Sequence, residues 1–146
     1  MIQRKQSIWL LLAALLSAGV FYFDLYRVHT QVTGVDTITP LRVNDHFPSL
    51  LIALVMCIVP LIAIFMFNNR KLQTRLAAVA IVADLSFVGM VLARVSKISD
   101  MPGLQPADST YWIGSVLPVI AIVFLIMAIV GIRKDEKLVK SVDRLR

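Results

Sequence analysis

The sequence predicts an all-α membrane protein, a four-transmembrane-helix bundle with a small extracytoplasmic β-hairpin between the first two helices. Three observations predict this fold class: an apolar composition, four long apolar runs and an uneven distribution of Lys and Arg. Hydrophobic residues occupy 58% of the 146 positions and charged residues 16%, whereas soluble domains carry roughly 25% charged residues. One water-soluble core of this size cannot enclose so much apolar surface, so we expect a single integral membrane domain over residues 1–146.

Four apolar runs lie at 8–23, 50–67, 76–93 and 111–132. Each approaches the roughly 20 residues that a helix needs to cross a hydrocarbon core of about 30 Å. Because backbone polar groups must be bonded within the segment in lipid, the runs predict helices at about 6–25, 48–68, 74–95 and 110–133. Pro60 and Pro118 fall inside two of them and are tolerated with a local kink.

The first run has a second interpretation, a cleaved signal peptide. Its opening, MIQRKQSIWLLLAALLSAG, combines a basic start, an apolar middle and a small-residue SAG segment. The aromatic FYF that follows is typical of a membrane interface. We expect a retained first helix.

Lys and Arg are unevenly divided between the two sides of the predicted bundle. Eleven lie before the first run, between the second and third runs, or after the fourth, and four lie in the other two loops. By the positive-inside rule, this division places both termini and the short middle loop in the cytoplasm.

The charged segment 133–146 is predicted to be a cytoplasmic tail that continues the fourth helix. Leu138, Val142 and Leu145 recur at helical spacing and form one stripe, and Glu136 and Lys140 form a favourable i,i+4 pair. Anionic lipid and a partner protein both remain open as the surface that the tail contacts. The candidate residues for this cytoplasmic contact are Arg70, Lys71, Gln73, Arg133, Lys134, Asp135, Lys137, Leu138, Val142 and Leu145.

The loop at about 25–44 predicts the outer hairpin. Its residues alternate in character and are rich in β-branched side chains, and Thr33-Gly34 offers a turn. Pro40 predicts that the returning strand lies at a sheet edge. The loop between the third and fourth runs is expected to be irregular, with a turn at Pro102-Gly103.

Asp84 is the strongest candidate for a functional residue within the predicted membrane helices. It lies at the middle of the third run, where a charged side chain costs at least about 2.5–3.5 kcal/mol. We group it with Ser86 as a candidate intramembrane polar site; Ser17 and Ser115 are the other serines within the runs. The structural interpretation is a protonated carboxylic acid bonded to a serine or a carbonyl, or facing a partner subunit. The functional interpretation is transport of a proton or cation.

No motif of an enzyme or of a metal site is found. His29 and His46 match no metal-site spacing, and Cys57 stands alone within a membrane run. Phosphate loop, nucleophile elbow, HExxH and CxxC patterns are absent. We therefore expect no enzyme activity and no catalytic, cofactor-binding or metal-binding residues.

Three segments also carry a resemblance to a known family: MIQRKQSIWLLLAALLS, NNRKLQTRL and IRKDEKLVKSVDRLR. With them the whole chain resembles a four-span family of the Bacteroidota, domain of unknown function 4293. The resemblance implies a bacterial inner-membrane protein and brings no established activity or substrate. The arrangement is also analogous to claudin-type tetraspans, although the paired extracellular cysteines typical of that group are absent.

These observations lead us to expect a non-catalytic accessory, scaffold or assembly subunit of a larger inner-membrane complex. Its expected partners are the lipid bilayer and other membrane protein subunits, and nucleic acid is not expected. The alternative is a small transporter or channel that uses Asp84.

Overall fold

The computed structural model describes residues 3–32, 35–99 and 110–143 of the chain. Four helices dominate this part: α1 (Gln3–Gly19), α2 (Phe47–Phe65), α3 (Arg70–Ser99) and α4 (Ile113–Asp143). Helix α1 packs against α2 and α4, and α3 packs against the same two helices. The four helices therefore form a closed ring in cross-section, and the mostly helical fold is confirmed.

Three of the described helices are long and apolar enough to cross a membrane. The qualifying segments are Phe47–Phe65, Arg70–Ile98 and Ile113–Val139, while the apolar part of α1, Gln6–Gly19, is shorter. Large hydrophobic side chains also cover the outward faces of the bundle, as lipid contact requires. The protein is membrane-embedded.

Helix α1 ends at Gly19, so the predicted boundary near residue 25 is wrong. The next residues form tight turns, in which the backbone N–H of Phe21 donates to Ala18 and that of Tyr22 donates to Gly19. The chain must turn here because the backbone N–H of Leu25 already pairs with Leu41 in the sheet, at 2.9 Å. Apolar composition, which continues through FYF, does not show this constraint.

Helix α2 ends at Phe65, inside its apolar run, so the predicted end near residue 68 is wrong; the backbone N–H of Met66 donates to the Ala63 carbonyl in a tight turn there.

Helix α3 extends beyond both ends of its run, and α4 extends beyond the end of its run. Helix α3 begins at Arg70 instead of 74, where the Asn69 side chain accepts a hydrogen bond from the backbone N–H of Leu72 at 3.2 Å and caps the helix. Helix α4 continues to Asp143, as the tail periodicity predicts. Its start moves from the predicted 110 to Ile113, because residues 110 and 111 belong to a strand.

A small antiparallel sheet lies at one end of the bundle. Strands β1 (Tyr26–Val32) and β2 (Val35–Leu41) form the predicted hairpin, with Tyr26 opposite Leu41 and Val32 opposite Val35. The predicted turn at Thr33-Gly34 lies outside the described residues, as does the one at Pro102-Gly103. Strand β2 is an edge strand, as Pro40 predicts.

A third strand, β3 (Thr110–Tyr111), was not predicted. It pairs with the start of β1, and the rings of Tyr26 and Tyr111 meet edge to face with centroids 5.1 Å apart. Two residues are too few to show the alternating pattern of a strand. The sheet order is β2-β1-β3.

The interior has two parts that differ in side-chain size. The part near the sheet contains large residues, including Leu25, Met56 and Phe87. The part at the other end is rich in alanine, and its buried members are Leu10, Ala13, Ala63, Ala77, Ala80, Ala121, Leu125 and Ala128. Small residues let helix backbones approach closely. Asp84 lies on α3 between the two parts, after Ala80 and before Phe87.

Candidate functional site

Asp84 is enclosed by the bundle. Its side chain is fully buried, and so is that of Ser17 on α1. The Ser17 hydroxyl donates to Asp84 Oδ1 at 3.5 Å, at the long limit of a hydrogen bond. Within the described part of the chain, Oδ2 has no hydrogen-bond partner. The structure thus holds, in the middle of the bundle, a carboxyl group with one weak donor among the described residues.

Ser86 does not join Asp84, so their grouping in one polar site is wrong. Ser86 is exposed, and its hydroxyl donates to the Val82 carbonyl of its own helix at 2.8 Å. Residues two positions apart on a helix differ by roughly 200° in direction, so the two side chains leave α3 on opposite faces. Ser17 is the serine that the tertiary structure brings to Asp84.

The candidates for a contact outside the membrane come from two places, the start of α3 and the end of α4, which the fold brings to one end of the bundle. Gln73 is buried, and its Nε2 donates to the Ala63 carbonyl at 3.0 Å, which joins the start of α3 to the end of α2. Gln6 is also buried, and its Nε2 donates to Asp135 Oδ2, which joins the start of α1 to the charged part of α4. Gln73 and Asp135 therefore hold helices together.

Gly131 explains how α1 and α4 approach each other beside Gln6. A Cβ atom at Gly131 would lie 3.1 Å from Gln6 Cγ, closer than an ordinary van der Waals contact. Sequence reasoning passed over Gln6, although a neutral polar residue at the first turn of an apolar helix is a recognisable sign of an interhelical hydrogen bond.

The basic candidates remain mostly on the surface. Lys71, Arg133, Lys134 and Lys137 are exposed, while Arg70 is half-buried and its Nη1 has no partner among the described residues.

Of the predicted apolar stripe of the tail, the structure describes the side chain of Leu138. Leu138 is 49% exposed, and its neighbour Val139 is 48% exposed. The side chain of Val142 and the whole of Leu145 lie outside the described residues.

At the opposite end of the bundle, Asp24 forms an ion-pair cluster that the sequence did not predict. Arg27 donates to Oδ2 from Nε at 3.1 Å and from Nη2 at 2.9 Å, and Arg42 Nε donates to Oδ1 at 2.9 Å. The Arg42 hydrogen bond lowers the pKa of Asp24 most; burial opposes it, and the Arg27 hydrogen bond adds to the lowering. The Arg27 guanidinium also stacks on the Trp112 ring, 3.9 Å from its centroid.

Backbone hydrogen bonds fix the same cluster to the start of α4. The backbone N–H of Trp112 donates to Leu25, and that of Gly114 donates to Asp24, both at 3.1 Å. A Cβ atom at Gly114 would lie 2.6 Å from the Asp24 carbonyl oxygen, so only glycine allows this approach.

A second polar group lies beside it, at the start of α2. His46 caps α2: its Nδ1 accepts from the backbone N–H of Ser49 at 3.4 Å and lies 2.9 Å from the Ser49 hydroxyl. Arg94 Nη1, on α3, donates to the Arg42 carbonyl at 3.2 Å and to the Ser49 hydroxyl at 3.5 Å. His29 lies on β1, opposite Ile38. No group of three side chains suited to a metal ion is found in the part of the chain that the structure describes.

Comparison with known proteins assigns the chain to a family. The model of a family described as Domain of unknown function (DUF4293) matches residues 2–145. The protein belongs to DUF4293. The match confirms the resemblance to this domain of unknown function that the three quoted segments carry, and it includes Asp84, the Asp24 cluster and the described part of the tail. No curated protein and no solved structure matches this DUF4293 chain.

Proposed function

We propose that this protein is a non-catalytic accessory, scaffold or assembly subunit of a larger protein complex in a bacterial inner membrane. In this proposal all four helices span the bilayer, and both termini and the α2–α3 turn face the cytoplasm. The distribution of Lys and Arg supports the orientation. Helix α1, with 17 residues, is roughly 25 Å long and needs only slight thinning of the bilayer to cross it.

The observation that carries the proposal is the projecting end of α4. Among the side chains that the structure describes, the last fully buried one on α4 is Ile132, and the helix continues to Asp143, over roughly 16 Å. The hydrogen bond from Gln6 to Asp135 fixes the direction of this segment. It presents Leu138 and Val139, each about half exposed, among basic side chains.

A partner protein would use both the fixed direction of this helical segment and its two exposed apolar side chains. Leu and Val side chains contribute about 1.5–3 kcal/mol each when fully buried. A helix held at a fixed angle also loses little conformational entropy on binding. Lipid anchoring alone requires the basic residues, but it requires neither a fixed helix nor apolar residues beyond the bilayer.

The test replaces the apolar pair and leaves every charge in place. In Leu138→Ser/Val139→Ser, we expect normal membrane insertion and a loss of at least tenfold in recovery of the native complex, because the buried apolar contacts are removed. The measurement is native gel electrophoresis of mildly solubilised membranes from the source bacterium. A photo-crosslinking residue at position 138 should form one adduct of defined mass, and the same residue at lipid-facing Val123 should form none.

The matched control is Lys134→Gln/Lys137→Gln, which removes charge and keeps the apolar pair. We expect it to retain the complex. Loss of the complex in this variant, with full recovery in the serine variant, would reduce the segment to an electrostatic anchor.

A small transporter or channel is the second candidate, and the Asp84 geometry favours it. A buried carboxyl oxygen without a hydrogen-bond partner among the described residues is an available site for a proton or a cation. The Ser17 contact on the other oxygen, Oδ1, is weak at 3.5 Å, so it leaves the carboxyl group free to change partners. Replacement of Asp84 by Asn distinguishes this candidate from the structural one.

A further inference from the structure

We propose that the sheet-bearing end of the bundle binds one anionic phospholipid in a groove on α3. This groove, named here the α3 groove, has a volume of about 300 Å³. It is lined by Leu41, His46, Met90, Ala93, Arg94, Lys97 and Ile98. Five of these residues form one face of α3, and the other two come from the end of β2 and the cap of α2.

The α3 groove lies at the depth of lipid headgroups. Between Arg75 and Arg94, α3 carries 18 residues whose only ionisable side chain is Asp84. This stretch is roughly 27 Å long, close to the hydrocarbon thickness of about 30 Å. Arg94 therefore lies at the boundary of the hydrocarbon core, and Lys97, one turn further, lies in the headgroup layer.

The cations of the groove are positioned and available. Within the described ranges, Arg94 is held through Nη1 by the Arg42 carbonyl and the Ser49 hydroxyl. Lys97 is exposed, and neither side chain forms a salt bridge with a described residue. Asp45 is the acidic group that acts electrostatically on Arg94, and its Oδ2 already accepts from the backbone N–H of Arg42 at 2.8 Å.

The remaining walls suit the apolar part of a lipid. Met90 and Ala93 lie on the bilayer side of Arg94, and Leu41 and Ile98 complete the lining. One phospholipid satisfies both surfaces, with its phosphate at Arg94 and Lys97 and an acyl chain along Met90. Among the described residues, the two cations Arg94 and Lys97 face one carboxylate, Asp45, which is already hydrogen-bonded, and this balance favours a headgroup with net negative charge over a zwitterionic one.

A second groove on α3 shows the contrast. It has a volume of about 320 Å³ and is lined by Phe87, Val88, Val91, Leu92, Tyr111, Ser115, Val116 and Val119. No charged residue lines it, so it offers no recognition of a headgroup. Of these two grooves, only the α3 groove has both cationic side chains and an apolar wall.

The experiment counts lipid bound to the purified protein by native mass spectrometry. The probes are dioleoyl phosphatidylglycerol and dioleoyl phosphatidylcholine. We expect one phosphatidylglycerol per chain, retained as detergent is exchanged, and weaker retention of phosphatidylcholine. Lys97→Gln removes one cation and none of the described hydrogen bonds, and it should weaken phosphatidylglycerol binding about fivefold. Ala93→Phe, which fills the groove without changing charge, should also weaken it.

Arg75→Gln is the matched control, because Arg75 is an exposed cation near the other end of the same helix. It should leave binding unchanged, and excess inorganic phosphate should not compete with the lipid. Equal loss in Arg75→Gln and Lys97→Gln would overturn the proposal by showing unspecific attraction. Displacement by inorganic phosphate would identify a free-anion site and also overturn it, as would equal retention of phosphatidylcholine.

Discussion

Two buried aspartates show how differently the same side chain is treated in this protein. Asp24 receives three guanidinium hydrogen bonds from two arginines at the edge of the bundle. Asp84 receives one long hydroxyl bond at its centre. Charge-assisted hydrogen bonds are roughly twice as strong as neutral ones, so Asp24 is an anchor. The surroundings of Asp84 give a carboxylate little stabilisation, and a substitution at Asp84 tests whether the side chain is structural or functional.

Asp84→Asn is expected to preserve both the fold and the complex. The Asn side chain retains a carbonyl oxygen that can accept from Ser17, so the unfolding temperature in detergent should change by less than about 5 °C. Native gels should show the same complex. Proton or cation flux into vesicles containing the purified protein should be equal to that of protein-free vesicles before and after the change.

Ser86→Ala is the control for this measurement, because Ser86 is an exposed serine on the same helix, bonded only to its own Val82 carbonyl among the described residues. A flux through the unaltered protein that disappears in Asp84→Asn and persists in Ser86→Ala would establish the transport candidate in place of the structural one.

Among the elements, the sheet depends on the Asp24 cluster for its attachment to the helices. A two-stranded hairpin alone is marginal in water. Here Arg27 on β1 and Arg42 just after β2 both bind the Asp24 carboxylate. The backbone N–H groups of Trp112 and Gly114, at the start of α4, donate to the carbonyls of Leu25 and Asp24. The attachment therefore combines charge with backbone geometry.

Stability should fall in acid through Asp24. Because the folded state lowers the pKa of this carboxyl below its ordinary 3.8, its contribution is fully present above that value and is lost as pH falls through the folded pKa. We expect the free energy of unfolding to decrease by about 1 kcal/mol. The value is modest because Arg42 is 61% exposed and water screens its ion pair with Asp24. Unfolding free energy is measured between about pH 6 and pH 2, which includes the range below 3.8 where the loss occurs.

Asp24→Asn supplies the reference curve for this prediction. The variant should be less stable at neutral pH, and the difference from the unaltered protein should shrink as pH falls below 3.8. A difference that stays constant over the whole range would show that the charge of Asp24 has no role in the attachment.

At the scale of the whole molecule, the proposed topology predicts which positions face the periplasm. In a chain whose Cys57 is replaced by Ser, an impermeant thiol reagent should label a cysteine at Thr39 in intact cells. It should spare cysteines at Lys71 and Lys134, because the positive-inside rule places those positions in the cytoplasm. Both Thr39 and Lys71 are exposed, so burial does not decide the result.

A cysteine at Lys5 tests the short first helix separately. Protection of this position, together with labelling at Thr39, indicates that α1 crosses the bilayer. Labelling at both would leave three spans, and labelling at Lys71 with protection at Thr39 would reverse the orientation.

Much of the fold could be predicted, and little of the site. The apolar runs located all four helices, and the alternation after residue 25 located the hairpin, because both patterns repeat over many residues. The end of α1 and strand β3 were missed because they depend on pairing with distant segments, Leu41 and Tyr26. The links Ser17–Asp84 and Gln6–Asp135 join residues 67 and 129 positions apart, which no local pattern reveals.

The sequence by itself determined that this protein belongs in a membrane, because hydropathy and charge are sums over residues and need no partner. It also determined that α4 continues into the tail, since helical periodicity is a local property. Only the tertiary structure decided that Asp84 faces Ser17 and not Ser86, that Gln73 is buried, and that Asp24 collects two arginines. Each of these depends on which helix face meets which neighbour. That choice follows from close packing between elements, such as α4 against the Asp24 backbone at Gly114, where a single Cβ atom would exclude the contact.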